Sequence, residues 1–92
     1  MRLVWTTAAV VDLEQISDYL FEINPELATP TVLRIFESVS ELNAFPRRGR
    51  PGRKEDTREL VLTQLPYLVI YEVVDQSIRV LRVLHGARRW PE

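Results

Sequence analysis

The side chains best suited to chemistry in this sequence crowd into its last eleven residues, Arg82-Val83-Leu84-His85-Gly86-Ala87-Arg88-Arg89-Trp90-Pro91-Glu92. An apolar run carries Arg82 and ends on the sole histidine, and a glycine, two arginines and a tryptophan follow at once. A titratable imidazole, fixed guanidinium charge and a large aromatic at one strand end suit an anionic or acidic partner, or chemistry on a phosphodiester. Metal-free RNA cleavage needs a base for the 2′-hydroxyl, cations for the phosphorane and an acid for the leaving oxygen. His85 can act as base or acid, and Arg88, Arg82 and Arg58 can hold the phosphorane. Glu59 is a second candidate base, but it alternates with Arg58, which sends the two to opposite faces of their strand. The same residues also read as structure. A histidine at a strand end is an ordinary surface residue, Arg82 can pair with Glu59 or Glu72 across the sheet, and Trp90 can close the edge of the core.

The elements that position these groups must come from a chain of 92 residues, which makes one domain spanning 1–92. With 46% hydrophobic and 27% charged residues the composition is globular, with a small core. The absence of cysteine excludes a disulfide framework and a thiolate metal site, and fits a cytosolic protein. No cofactor or metal is expected. No apolar run approaches the roughly 20 residues of a membrane span. Met1 to Thr6 is too short and too soon polar for a signal peptide. The net charge of −1 hides an asymmetry: residues 1–45 carry −5 and residues 46–92 carry +4. The acidic half and the basic half imply surfaces of opposite sign, although a nucleic-acid binder that relies on counterion release is usually more basic overall.

Arg2 to Thr6 alternates as a short strand, with Thr6 or Thr7 as a helix N-cap. Ala9, Leu13, Ile16, Leu20 and Ile23 then form one face of a helix, with Asp12, Glu14, Asp18 and Glu22 mostly off it. Asn24-Pro25 stops this helix and starts the next. The second stripe is Ala28, Val32, Ile35, Val39 and Leu42; Pro30 either kinks this helix or marks a start at Thr29. Phe45 to Lys54 holds two prolines, two glycines and five basic residues and reads as a loop. Thr57–Leu65, Pro66–Val74 and Ser77–Leu84 read as strands, the last two joined as a hairpin through Asp75-Gln76. The order β-α-α-β-β-β gives an α+β fold: an antiparallel sheet with a two-helix hairpin packed on one face. The other face stays open to the C-terminal tail. Trp5 is expected in the core. Tyr19, Phe21 and Phe36 fall off the core stripes and would line a groove for a segment that folds on binding.

Several segments in this order resemble the toxins of the RelE/ParE superfamily. They are Ala9…Asp12-Leu13…Ile16…Tyr19-Leu20, Asn24-Pro25…Ala28, Phe45-Pro46-Arg47-Arg48-Gly49-Arg50, Thr57-Arg58-Glu59-Leu60, Pro66 to Val73, and Ile78 to Pro91. The Arg-Val-Leu-His run looks most like the ParE branch. The resemblance implies the toxin half of a type II toxin–antitoxin module. Such a toxin is a small cytoplasmic protein, held in a hetero-oligomer by a co-expressed ParD-like or RelB-like antitoxin. ParE-type members inhibit DNA gyrase and block replication; RelE-type members cut mRNA on the ribosome without a metal. The match to the ribonuclease branch is incomplete. Its arginine near the C-terminal glycine falls on Arg88, but its strand arginine falls near the uncharged Thr63. Its C-terminal tyrosine has no counterpart, Tyr67 and Tyr71 being sheet residues. These departures favour gyrase inhibition, with Arg82, His85, Arg88, Arg89 and Trp90 on the target. The antitoxin would take Tyr19, Phe21 and Phe36. A ribonuclease and a non-toxic antitoxin-binding module are the alternatives.

Overall fold

A computed structural model describes residues 1–86, 90 and 91 of the chain. Strand β1 (Arg2–Trp5) passes directly into helix α1 (Thr7–Ile23). Thr6 makes the junction. Its Oγ1 accepts from the Ala9 N–H at 3.3 Å and donates to the Val80 carbonyl at 2.7 Å, so the helix cap is also tied to the sheet. Asn24 separates α1 from α2 (Pro25–Ser40), with Pro25 in the first turn, where its missing N–H costs nothing. Pro30 lies inside α2 and does not start it. Its ring leaves the Glu26 carbonyl without a helical donor, and residue 26 is exposed to water that can replace it.

A 3-10 turn (Glu41–Asn43) leads through a loop to β2 (Arg50–Pro51), β3 (Thr57–Val61), β4 (Tyr67–Val74) and β5 (Ser77–His85). The five strands lie in the order β1-β5-β4-β3-β2. The pairs β2·β3, β3·β4 and β4·β5 are antiparallel, but β1 lies parallel to β5, with Leu3 opposite Ile78. The sheet is therefore mixed, not wholly antiparallel. The reason is topological. Asp12 reaches Val83, so α1 runs on in the direction of β1; α2 then returns, and β3 and β5 take the direction of β1 again.

Two segments depart from the sequence reading, and the expected Asp75-Gln76 hairpin turn takes a defined type. The basic loop is not wholly irregular, because Arg50 and Pro51 add to the edge of β3 opposite Glu59 and Arg58. Strand β3 ends at Val61 rather than Leu65, and Gln64, at φ 64°, takes a left-handed turn before β4. Asp75 and Gln76 both adopt positive φ (48° and 60°), the pattern of a type I′ hairpin turn made without glycine.

The core lies between the helices and one sheet face. Ala9, Ile35, Val39 and Leu42 meet Leu60, Val69, Tyr71, Ile78, Val80 and Val83, with Leu13 and Ile16 packed against them. Ile23 leaves its expected stripe and is exposed at the hairpin tip, whereas Asp12, expected off the stripe, is buried. Trp5 is half-buried and packs on the core edge. Ile70 is fully buried yet alternates with Val69 and Tyr71, which places it on the sheet face away from the helices. Beyond β5, Gly86 donates to the Pro66 carbonyl at 2.7 Å, and Trp90 lies 5.8 Å from the Lys54 ammonium. These two anchors sit at opposite ends of the β3–β4 pair.

Candidate functional site: a pinned basic loop and a cavity at the end of α1

The loop between α2 and β3 is held by the sheet beneath it. The Tyr71 hydroxyl donates to the Pro46 carbonyl at 2.7 Å and accepts from the Gly49 N–H at 2.9 Å. The backbone comes so close that a Cβ on Gly49 would lie 2.8 Å from the Tyr71 ring and 2.9 Å from the Glu59 carbonyl oxygen. Arg58 donates to the Gly49 carbonyl at 2.8 Å, and the Arg50 guanidinium pairs with the buried Glu59 at 3.1 Å. Arg58 and Glu59, candidate phosphorane holder and candidate base, thus both serve the same loop as clamps. The Glu59 carboxylate is buried, and the Arg50 guanidinium is its ion-pair partner there.

At the other end of the sheet, Arg82 does not pair with Glu59 or Glu72. Glu72 is taken by Arg79 at 3.2 Å, and Arg82 binds Asp12 in a bidentate pair at 2.7 and 2.9 Å. Two features bring this about. Strand β1 stops at Trp5, opposite Val80, which leaves the next stretch of β5 an open edge. There the register slips: Ile70 faces Arg82 while Tyr71 faces Val80, and Leu81 is the extra residue of a bulge. Helix α1 covers the opened edge, and Asp12 also accepts from the Val83 N–H at 2.9 Å, a donor that would otherwise be buried unpaired. The partner was missed because it lies 70 residues away on a helix whose charges were assigned to solvent.

Beside this clamp is a cavity of about 210 Å³ lined by Asp12, Gln15, Ile16, Tyr19, Tyr67, Val83, Leu84 and His85. His85 is exposed at the end of β5, edge-on to Tyr67 with ring centres 6.1 Å apart. Burial, and secondarily the Tyr19 phenol, push the Tyr67 hydroxyl above its ordinary pKa. Alternation in β4 had marked Tyr67 as structural; its place at the mouth of this cavity depends on α1 and was not readable from the strand. Arg88 and Arg89 lie outside the described residues. Trp90 is half-buried beside Lys54, an arrangement suited to a cation–π contact.

The helical hairpin presents a second surface. Tyr19, Phe21 and Phe36 are all about half exposed or more, and Phe36 stacks on Trp5 with the rings 5.8 Å apart and nearly parallel. Val10, Ile23, Leu27 and Leu33 are exposed as well and were not singled out from sequence. Val10, Leu27 and Leu33 already lay off the core stripes. Ile23 was hidden because it kept the period of α1 past the point where sheet remains to cover it.

Comparison with known proteins places this architecture. Residues 3–90 match the family model described as the ParE toxin of type II toxin–antitoxin system, parDE. The protein Y4kP of Sinorhizobium fredii is 37% identical over 99% of this chain and 94% of its own length. Toxin RelE2 of Caulobacter vibrioides is 36% identical over 95% of this chain and 97% of its own. In a structure titled as the chromosomal ParDE TA system from P. aeruginosa, one chain is 34% identical with a TM-score of 0.84, covering 92% of this chain and 95% of that one. The isolated RelE toxin of E. coli, at 15% identity and a TM-score of 0.70 over 97% of this chain and 87% of that one, shares the fold. The chain belongs to the ParE toxin family of type II toxin–antitoxin systems.

Proposed function

We propose that this toxin arrests growth by binding DNA gyrase, and that a ParD-like antitoxin silences it. The observation that carries the choice of target is the state of the cations and carboxylates that RNA cleavage would need. Arg58 is spent on the Arg47 and Gly49 carbonyls, Glu59 on Arg50, and Arg82 on Asp12. A guanidinium held bidentately by a buried carboxylate has its charge largely answered and two of its five N–H donors engaged, which weakens it as a phosphorane stabiliser. Among the described residues, then, the geometry favours a surface that binds over a centre that cleaves. The likeness to a chain of the chromosomal ParDE system from P. aeruginosa supports the same branch. His85 and Trp90, with Arg88 and Arg89, are the assigned target contacts. Arg82 becomes the residue that fixes the end of β5, where His85 lies.

A second reading is kept by the C. vibrioides relative named RelE2: ribosome-dependent cleavage of mRNA, with His85 and Arg88 as the first residues to test. Purified toxin in a gyrase supercoiling and cleavage-complex assay separates the two. Inhibition or trapped cleaved DNA that antitoxin reverses is the expected result. A folded, growth-inhibitory protein with no effect on gyrase, together with cut transcripts in arrested cells, would transfer the activity to mRNA.

A further inference from the structure

Helix α1 carries Asp12, Glu14, Asp18 and Glu22 and contains no lysine or arginine. Ion pairs among the described residues engage Asp12, Glu41, Glu59 and Glu72; none engages Glu14, Asp18 or Glu22. These three carboxylates share the helix with Tyr19, Phe21 and Ile23, each more than half exposed. Tyr19 also forms one wall of the cavity that ends on Tyr67 and His85. Large exposed apolar side chains flanking a row of carboxylates on so small a domain mark a contact surface. Its unbalanced negative charge selects what can cover it.

We propose that the outer face of α1 and the adjoining Tyr19–Tyr67–His85 cavity bind a basic, amphipathic segment of the antitoxin, which seats one lysine or arginine in the cavity. This inference rests on the reading that an antitoxin is the partner. The chemistry of the cavity fits a long cationic side chain. Its methylene stem would lie along Ile16 and Leu84, and its charge would meet the faces of two tyrosines. Further basic residues of the segment would answer Glu14, Asp18 and Glu22 while its apolar side covers Ile23, one helical turn beyond Tyr19. A second copy of this chain is a poor occupant. A two-fold contact would set the same acidic helix against itself, with like charges facing.

The test is association kinetics between a cognate ParD-like antitoxin and three forms of the toxin: wild type, the triple variant Glu14→Gln/Asp18→Asn/Glu22→Gln, and Tyr19→Ala. All four substituted residues are exposed, so the fold survives the changes. The triple variant is expected to associate about tenfold more slowly at low salt, with the difference vanishing at high salt. Tyr19→Ala is expected to dissociate about tenfold faster or more. Association that is unchanged or faster in the triple variant would overturn the basic segment and leave the antitoxin reading intact. Failure of the wild-type toxin to form any complex would remove both.

Discussion

Removing one carboxylate should test how the C-terminal end of β5 is held. Asp12 is 6% exposed and accepts three hydrogen bonds: two from the Arg82 guanidinium at 2.7 and 2.9 Å and one from the Val83 N–H at 2.9 Å. Asp12→Ala leaves the Val83 N–H buried without an acceptor, which costs about 1–3 kcal/mol. It also takes the carboxylate away from the Arg82 guanidinium. Breaking a fully buried pair costs about 3–5 kcal/mol, but the Arg82 side chain is 25% exposed and can turn part of its charge to water, so its share is smaller. Together these give a loss of about 3–4 kcal/mol. For a domain of this size, with about 5–14 kcal/mol in all, that is a large fraction. Arg82→Ala leaves Asp12 bonded to the Val83 amide and should cost less, about 2 kcal/mol, and the double variant should show coupling of about 1–2 kcal/mol. Urea unfolding followed by tryptophan fluorescence measures all three. A loss under about 1 kcal/mol for Asp12→Ala, or a coupling near zero, would refute the clamp. Arg82 would then return to the list of target contacts.

Two further perturbations probe the rest of the site. Tyr71→Phe deletes the hydroxyl that bridges Pro46 and Gly49; it should cost about 1–3 kcal/mol and speed hydrogen exchange at the Gly49 amide. Tyr67 holds its proton above the ordinary tyrosine value because of burial first and the Tyr19 phenol second. Its contribution to stability is therefore present below about pH 10, the unfolded value, and is lost as pH rises from there through the folded value. Ultraviolet titration of tyrosinate, assigned with Tyr67→Phe, should show a late transition that Tyr19→Phe moves part of the way back.

What the sequence disclosed and what it withheld divide by range. Ala9, Ile35 and Val39 report a local period that any packed helix must satisfy, so both helices and their buried faces were legible. So was the β4–β5 hairpin. The parallel placement of β1 was not legible, because strand direction depends on how α1 and α2 lead the chain and not on any residue in Arg2–Trp5. The Asp12–Arg82 pair needs three facts at once: where β1 stops, where β5 bulges, and which turn of α1 then lies over the gap. Charge pattern supplies none of them. Pro30 left open a kink or a start at Thr29, and the run of α2 from Pro25 with Pro30 inside it removes the later start. The engagement of Arg58, Glu59 and Arg50 with one loop was equally hidden, because β2 is only two residues long.

The cavity at the end of α1 also bears on how neutralisation would work. Tyr19 and His85 line the same space, one from the acidic helix and one from the strand end assigned to the target. A side chain seated there touches both. If the antitoxin segment occupies this cavity, it covers His85 directly, and no change of shape has to travel through the sheet to silence the toxin. Rigid support favours this simpler account. The Asp12–Arg82 clamp, the Val83 amide and the Gly86–Pro66 hydrogen bond all fix the end of β5 before any partner arrives. A site so fixed is better blocked by occupation than by rearrangement, because an allosteric partner would have to overcome those contacts to move it. Direct occlusion requires that toxin bound to antitoxin and toxin bound to target exclude one another. A stable ternary complex of toxin, antitoxin and gyrase in which Tyr19 is covered would rule it out.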